Sequence, residues 1–387
     1  MLAGGPFQYQ AGYDLRGSAY AFGNGTLVQG SRVPREANPN ITWEISTKSN
    51  VGFDLSLWSG KLDLEVDYFM ENRTGMLLAP QVTLPVEYGL SLSQENKGRM
   101  EGKGVELTLG TRQRYANGLD FSVQANFTYA TNSMLEVFET DAERNNPNRT
   151  KVGRPYQTPY GYKSSGLFQL SDDKNGDGII NGEDGYNVVQ FGDLHPGDVR
   201  YVDLSGPEGT PDGVINDHDL TVIGKPYYPL MTFGLSPTVS WKGFDLGLFF
   251  QGSGQSSINV RQFMTVPFEN NGSNTGYEYL DNRWTPENPG GKYPRSTPAP
   301  YANNTKDSDF WWINSSYLRL KTLNIGYSLP TSLVEKLKLS SVRIYGVAQN
   351  VFTLSKIKHI DPEMGYTDRE TAYPVMKATT IGLDISF

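Results

Sequence analysis

The 387-residue chain contains no cysteine, so neither a disulfide framework nor a thiol nucleophile is open to it. No stretch approaches the roughly twenty consecutive apolar residues of a membrane-crossing helix. Basic residues are outnumbered, 34 against 42 acidic ones for a net charge of −8, and they form no cluster, which argues against nucleic acid as a partner. Catalytic signatures are missing as well. The three histidines, His195, His218 and His359, stand in expected loops with no Gly-x-Ser-x-Gly elbow or His-Glu-x-x-His pair near them, so the chain does not read as an enzyme. Acidic pairs such as Asp172/Asp173 and Asp217/Asp219 could serve glycoside hydrolysis, but their Gly-punctuated spacing suits a metal loop better.

What the chain has in quantity is period two. Leu119, Phe121, Val123, Ala125, Phe127 and Tyr129 alternate with Asp120, Ser122, Gln124, Asn126 and Thr128. Leu62, Leu64, Val66, Tyr68 and Met70 do the same against Lys61, Asp63, Glu65 and Asp67, and the final segment places Ile381, Leu383, Ile385 and Phe387 on one face. Such spacing gives strands of about ten residues with one apolar face, long enough to cross a bilayer when tilted. Carboxylates as dense as Asp63, Glu65 and Asp67 need water or partners, so the second face is wet. A sheet apolar outside and wet inside is a barrel in lipid, and a mean hydropathy of −0.48 is compatible with that because every second residue is polar. Aromatic residues at 12% supply interfacial girdles, with Trp58 and Trp241 at strand ends beside short turns.

The connections alternate in length. Trp58 to Gly60, Gln113 to Gly118 and Lys242–Gly243 are short; Arg73 to Gly98, Asn132 to Tyr228 and Gln255 to Asn314 are long. Tight periplasmic turns and extended external loops have this rhythm. Nine strands are expected, near 41–57, 61–72, 101–112, 119–132, 229–241, 244–255, 315–328, 341–353 and 376–387. The fold class is therefore all-β, an antiparallel transmembrane β-barrel with about nine C-terminal strands of a larger barrel. An odd strand number and a start without the charged and apolar regions of a signal peptide make residues 1–40 an extracellular loop region or a truncated start, and residues 41–387 a C-terminal barrel part. Two irregularities are expected: a bulge or local irregularity at Pro237, which lacks a ladder donor, and a bulge at Lys321 or Thr322, where the apolar phase reverses.

Several blocks carry a resemblance. Ala37-Asn38-Pro39-Asn40-Ile41-Thr42-Trp43-Glu44, Glu95-Asn96-Lys97-Gly98, Gly243-Phe244-Asp245-Leu246, Arg283-Trp284-Thr285-Pro286, Ser316-Tyr317-Leu318-Arg319-Leu320-Lys321 and Ala348-Gln349-Asn350-Val351-Phe352-Thr353 resemble, in order, the C-terminal blocks of SusC/RagA-like TonB-dependent outer-membrane transporters. The resemblance implies part of a 22-stranded barrel in the outer membrane of a Gram-negative, Bacteroidota-like bacterium, importing glycans or oligopeptides beneath a SusD-like surface lipoprotein. It implies too a plug and a TonB-contacting segment, neither of which these residues supply.

The strongest chemical motif lies in the long external loop 133–228. Asp173-Lys174-Asn175-Gly176-Asp177-Gly178-Ile179-Ile180-Asn181-Gly182-Glu183-Asp184 sets oxygen ligands at positions one, three and five, glycine at six, the Ile179 carbonyl at seven, an apolar pin at Ile180 and a carboxylate at twelve. That is the order of a calcium loop, with Asp where Glu is usual, and a structural calcium ion is the expected cofactor. Asp203, Asp212, the Val214 carbonyl and Asp219 repeat the pattern across an interruption from Pro207 to Pro211 that weighs against a second ion. The loop is expected to gain its order from such local ties, having no core of its own. Tyr277, Tyr279, Trp311 and Trp312 are the candidates for stacking on substrate. The alternative to a transporter is a secreted, calcium-stabilised all-β carbohydrate-binding module; an adhesive barrel is a third reading.

Overall fold

The computed structural model describes the chain except residues 1–6, 16–18, 22, 24, 26, 34, 82–84, 262–264, 269–273, 299, 365–372 and 374. Nine strands form one sheet: β1 (Ile45–Leu57), β2 (Leu62–Leu78), β3 (Glu95–Arg114), β4 (Asp120–Glu136), β5 (Met231–Trp241), β6 (Phe244–Gly254), β7 (Tyr317–Ser328), β8 (Ser341–Ser355) and β9 (Ala378–Ser386). Each lies beside its chain neighbour, in the order β9-β8-β7-β6-β5-β4-β3-β2-β1. All nine expected strands are present, and β2, β3 and β4 run longer than expected, to 17, 20 and 17 residues.

The chain divides into two compact units, one of residues 1–51, 68–104 and 131–156, the other of residues 52–67, 105–130 and 157–387. In the first, polar side chains are tied together: Ser46 donates to Glu71 at 2.7 Å, and Arg73 meets the same carboxylate at 2.9 Å. In the second, strands from β4 to β9 pair antiparallel, each with its neighbour. Their apolar face is the uncovered one, with Phe244 57%, Ile325 53%, Ile344 50% and Ile381 83% exposed. Their polar face is knitted by side chains, as in the Ser122–Thr238 hydroxyl pair at 2.6 Å and the Arg343–Asp245 pair at 2.6 Å. An exposed apolar band of this extent suits hydrocarbon, not water.

The short turns are built for tightness. Lys242 (φ 49°) and Gly243 (φ 88°) join the facing pair Trp241 and Phe244 in two residues, the twist that hairpins favour. A Cβ on Gly243 would sit 2.7 Å from the Ser328 carbonyl, so glycine is required there twice over.

The two expected irregularities part company. Against β6, β7 shifts register between Leu320 and Thr322, leaving Lys321 as the extra residue of a bulge; against β8 the shift runs the other way, Asn350 and Val351 standing opposite the one residue Lys321. Pro237 makes no bulge: β5 holds one register against β6 on both sides of an unpaired Ser236 and Pro237, and pairs with β4 through Pro237 and Val123. A missing N–H removes a ladder bond without adding a residue.

Buried apolar clusters sit in the segments between strands. Ile258, Val260, Val266, Tyr279, Tyr293, Trp311 and Ile357 form one, Tyr162, Val199, Tyr201 and Ile215 a second, and Phe168, Ile180 and Leu194 a third. The expectation that the long loop has no core is thus overturned. It folds around two of these clusters, because apolar residues spaced too irregularly for strands still gather when turns bring them together.

Candidate functional site

The two acidic loops are the most constrained chemistry in the chain. In the first, Asp173 accepts from the Gly176 and Gly178 amides at 2.8 and 2.9 Å, and Asp177 accepts from the Ile179 amide at 2.7 Å. Asp184 staples the loop: its Oδ1 accepts from Lys174 N at 2.7 Å and Asn175 N at 3.2 Å, its Oδ2 from Asn181 N at 3.1 Å. The Asn181 amide does most to hold this carboxyl below the usual range, with Asn175 and Lys174 adding to it. Ile180 is buried as the pin.

The second loop repeats this despite its interruption. Asp219 accepts from Leu204 N at 2.7 Å and Ser205 N at 3.1 Å on Oδ1, and from Asn216 N at 2.8 Å on Oδ2. Asp203 accepts from Gly213 N at 2.6 Å, Asp212 from Val214 N at 3.0 Å, and Ile215 is the buried pin. Asn181 and Asn216 cap matching short 3₁₀ turns with nearly the same backbone angles. Residues 207–211 bulge outward, exposed, so the extra chain leaves the frame intact. The interruption therefore does not distinguish the loops as the sequence suggested.

The donor sets are all oxygen, which fits a hard cation such as calcium. Asp173, Asp177 and the Ile179 carbonyl in one loop, and Asp203, Asp212 and the Val214 carbonyl in the other, are the groups able to hold it. Among the described residues no three Asp, Glu or His side chains are drawn together as a ready-made cage, and Asp184 and Asp219 already serve three backbone amides each.

The first loop is anchored to a buried node. His195 Nδ1 lies 2.6 Å from the Gly178 carbonyl, and its amide donates to Asp198 at 3.0 Å. Asp198, wholly buried, takes the Arg295 fork at 2.7 Å and the Asn304 amide at 2.8 Å. A charge removed from water this completely has to be paired, and it is.

The expected stacking residues fare unequally. Tyr279 and Trp311 are each 1% exposed and belong to a hydrophobic cluster, the Trp311 indole donating to the Asn304 carbonyl at 2.9 Å. Neither presents a ring to a ligand, because large aromatic surfaces gain more by packing together than by facing water. Trp312 is half-buried in a short ribbon opposite Asn259, and Tyr277 remains 82% exposed. All three histidines are at least half-buried, and the pKa of His359 is depressed by that burial.

Sequence reasoning missed the polar face around Arg319. This side chain is 2% exposed; it donates to Asp361 at 2.6 and 2.7 Å, to Glu363 at 2.8 Å and to Thr353 at 2.9 Å. The alternation put Arg319 on the wet face, but carboxylate partners more than forty residues away leave no local signal.

No protein-family profile matches the chain. It is 28% identical over 393 residues to the TonB-dependent receptor P3 of Formosa agariphila, covering 96% of this chain and 37% of that protein. To the TonB-dependent receptor SusC of Bacteroides thetaiotaomicron it is 23% identical over 383 residues, covering 95% of this chain and 34% of the other. The solved structure of the RagAB peptide transporter matches with a TM-score of 0.67 at 22% identity, over 99% of this chain and 39% of that one. The chain thus spans little more than a third of the relatives it matches.

Proposed function

We propose that this chain, a SusC/RagA-like portion of a TonB-dependent outer-membrane transporter, forms wall and external loops of a nutrient importer for glycans or oligopeptides. The observation that carries the reading is the uncovered apolar face of the sheet opposite a knitted polar face. A secreted carbohydrate-binding module would turn that apolar face into a core, so the second reading loses its main support. Substrate moves along the polar face without covalent chemistry. A SusD-like lipoprotein above and the TonB complex below are the partners this reading calls for. It places the protein in the outer membrane of a Gram-negative, Bacteroidota-like bacterium.

Calcium is part of the proposal. One ion in each acidic loop would neutralise carboxylates that otherwise repel across tight glycine turns, and would fix the loop's outer rim to its core. In the full-length transporter, removal of residues 137–228 should abolish uptake and leave assembly intact; uptake at the parental rate refutes a role in recognition. Asp177→Ala should raise protease sensitivity of the first loop in calcium buffer. If calcium protects the parent no better than the variant, that loop holds no ion.

A further inference from the structure

A cavity of ≈ 560 Å³ opens on the polar face of β4 to β7, within the size range of small-molecule pockets. Its floor is side chain, not backbone. Asn126, Thr232, Gln251 and Ser253 line it from strands whose backbone groups are engaged with sheet neighbours on both sides. Aromatic surface comes from Tyr227, Phe249 and Tyr317. Gly234 lies between them, and a Cβ there would reach 2.4 Å from Asn126 Oδ1 and 3.5 Å from the Phe249 ring. Glycine at this point keeps the floor beside Phe249 open.

One wall is the turn Pro362–Met364, fastened by Arg319. Glu363, the only carboxylate among the described lining residues, is already compensated: Oε1 accepts from Gln251 at 3.0 Å, Oε2 from Arg319 at 2.8 Å, and the Lys321 ammonium stands 3.5 Å from both. Arg319 itself is buried behind it. Among the described residues, the lining therefore offers no spare positive charge to a carboxylate and no spare negative charge to an ammonium. With the strand ladders occupied, a peptide finds no edge to extend either. What the cavity does present is aromatic faces with amide and hydroxyl groups around them.

We propose that this cavity is a binding subsite for an uncharged, hydroxyl-rich ring such as a neutral sugar, with the Arg319-fastened turn as its fixed wall. The proposal rests on the import reading, and within it selects neutral glycan over peptide or acidic glycan for this site.

The test uses the full-length transporter in detergent with four probes, cellobiose, maltose, digalacturonate and trialanine, measured by titration calorimetry. At least one neutral disaccharide should bind, at least tenfold more weakly in Phe249→Ala and in Gly234→Leu, which fills the floor. Gln251→Ala, which removes an amide without filling space, should weaken binding to a smaller degree; heat-modified gel migration checks that each variant assembles. The charged probes should not bind in a Phe249-dependent way. Phe249-dependent binding of trialanine or digalacturonate overturns the proposal, as does failure of both neutral sugars to bind, or binding indifferent to both variants. Import is scored separately: if uptake needs residues 137–228 while sugar binding ignores Phe249 and Gly234, the importer stands and the subsite falls. If the sugar binds as expected but the full-length protein takes up no substrate, the subsite stands and the importer falls.

Discussion

Replacing Asp219 by Asn tests whether the interrupted acidic loop is as tightly built as the uninterrupted one. Asp219 is 0% exposed and holds three backbone amides, at 2.7 and 3.1 Å on one oxygen and 2.8 Å on the other. An Asn side chain can keep its oxygen toward Leu204 and Ser205, but its NH₂ then faces the Asn216 N–H, donor against donor. One charge-assisted bond of about 1.5–3 kcal/mol is lost, and the two survivors become neutral and weaker. A net cost of about 3 kcal/mol is a factor of roughly 100 in local opening. Amide hydrogen exchange in chelator, with no cation to mask the effect, should show protection at Leu204, Ser205 and Asn216 falling by about that factor. Asp184→Asn should do the same at Lys174, Asn175 and Asn181, because its bonds match one for one. Unchanged exchange in Asp219→Asn, or an effect ten times smaller than that of Asp184→Asn, would show that the inserted residues loosen the second loop after all.

Spin labels at Phe121 and Ser122 should report opposite surroundings, lipid-soluble oxygen reaching the first and aqueous quencher the second, since Ser122 bonds Thr238 on the polar face; equal exposure sinks the barrel wall. Gly252→Ala should destabilise the wall by about 1–3 kcal/mol, because its Cβ would lie 2.2 Å from the Phe233 ring and 2.7 Å from the Tyr317 carbonyl. Gly247→Ala, whose Cβ meets nothing nearer than 3.9 Å, should change urea unfolding in vesicles little, and equal effects from the two contradict the packing. His359 is kept neutral by burial, with Glu278 favouring and Lys292 opposing its charge, so its folded pKa lies below the ordinary 6.5. The unfolded segment binds the proton more readily; stability is full above pH 6.5 and declines as pH falls through it. Protection of residues 357–360 should therefore drop between pH 7.5 and 5, and the drop should flatten in His359→Gln; an identical pH slope in both removes His359 as the cause.

The wall was legible because period two is local. Each of Leu62 to Met70 or Phe121 to Tyr129 declares its face without reference to any other strand, and even the Lys321 bulge announced itself as a change of phase. At Pro237 the sequence shows that a donor is missing but not which form the irregularity takes, an added residue or an unpaired step that keeps the register. The external clusters were not legible for the opposite reason. Tyr279, Tyr293 and Trp311 meet across more than thirty residues of irregular chain, so nothing in their spacing separates a buried ring from one offered to substrate. The equivalence of the two acidic loops lay between these cases. The residue types were visible at both, but only the bonds to Asp184 and Asp219 show that the added residues lie outside the frame.

The bulge at Lys321 and the insertion at 207–211 together show that this chain counts length in two ways. Below the bulge, Thr322, Asn324 and Gly326 pair with Phe249, Gly247 and Asp245; above it, Arg319 and Tyr317 pair with Gln251 and Ser253, on the same side. Odd and even positions have exchanged roles across one residue. Were Lys321 drawn into the ladder as an ordinary strand residue, Arg319 would leave its carboxylates for the side that faces lipid, where an arginine costs about 2–4 kcal/mol at mid-bilayer besides the lost pairs, whereas deleting Lys321 would leave Arg319 opposite Gln251. In the acidic loop five extra residues change no bond of the frame. Natural or engineered changes of length should accordingly be sorted by parity in the strands, where one residue inverts a surface, and should pass almost unnoticed between Gly206 and Asp212, which makes that point the natural socket for passenger sequence.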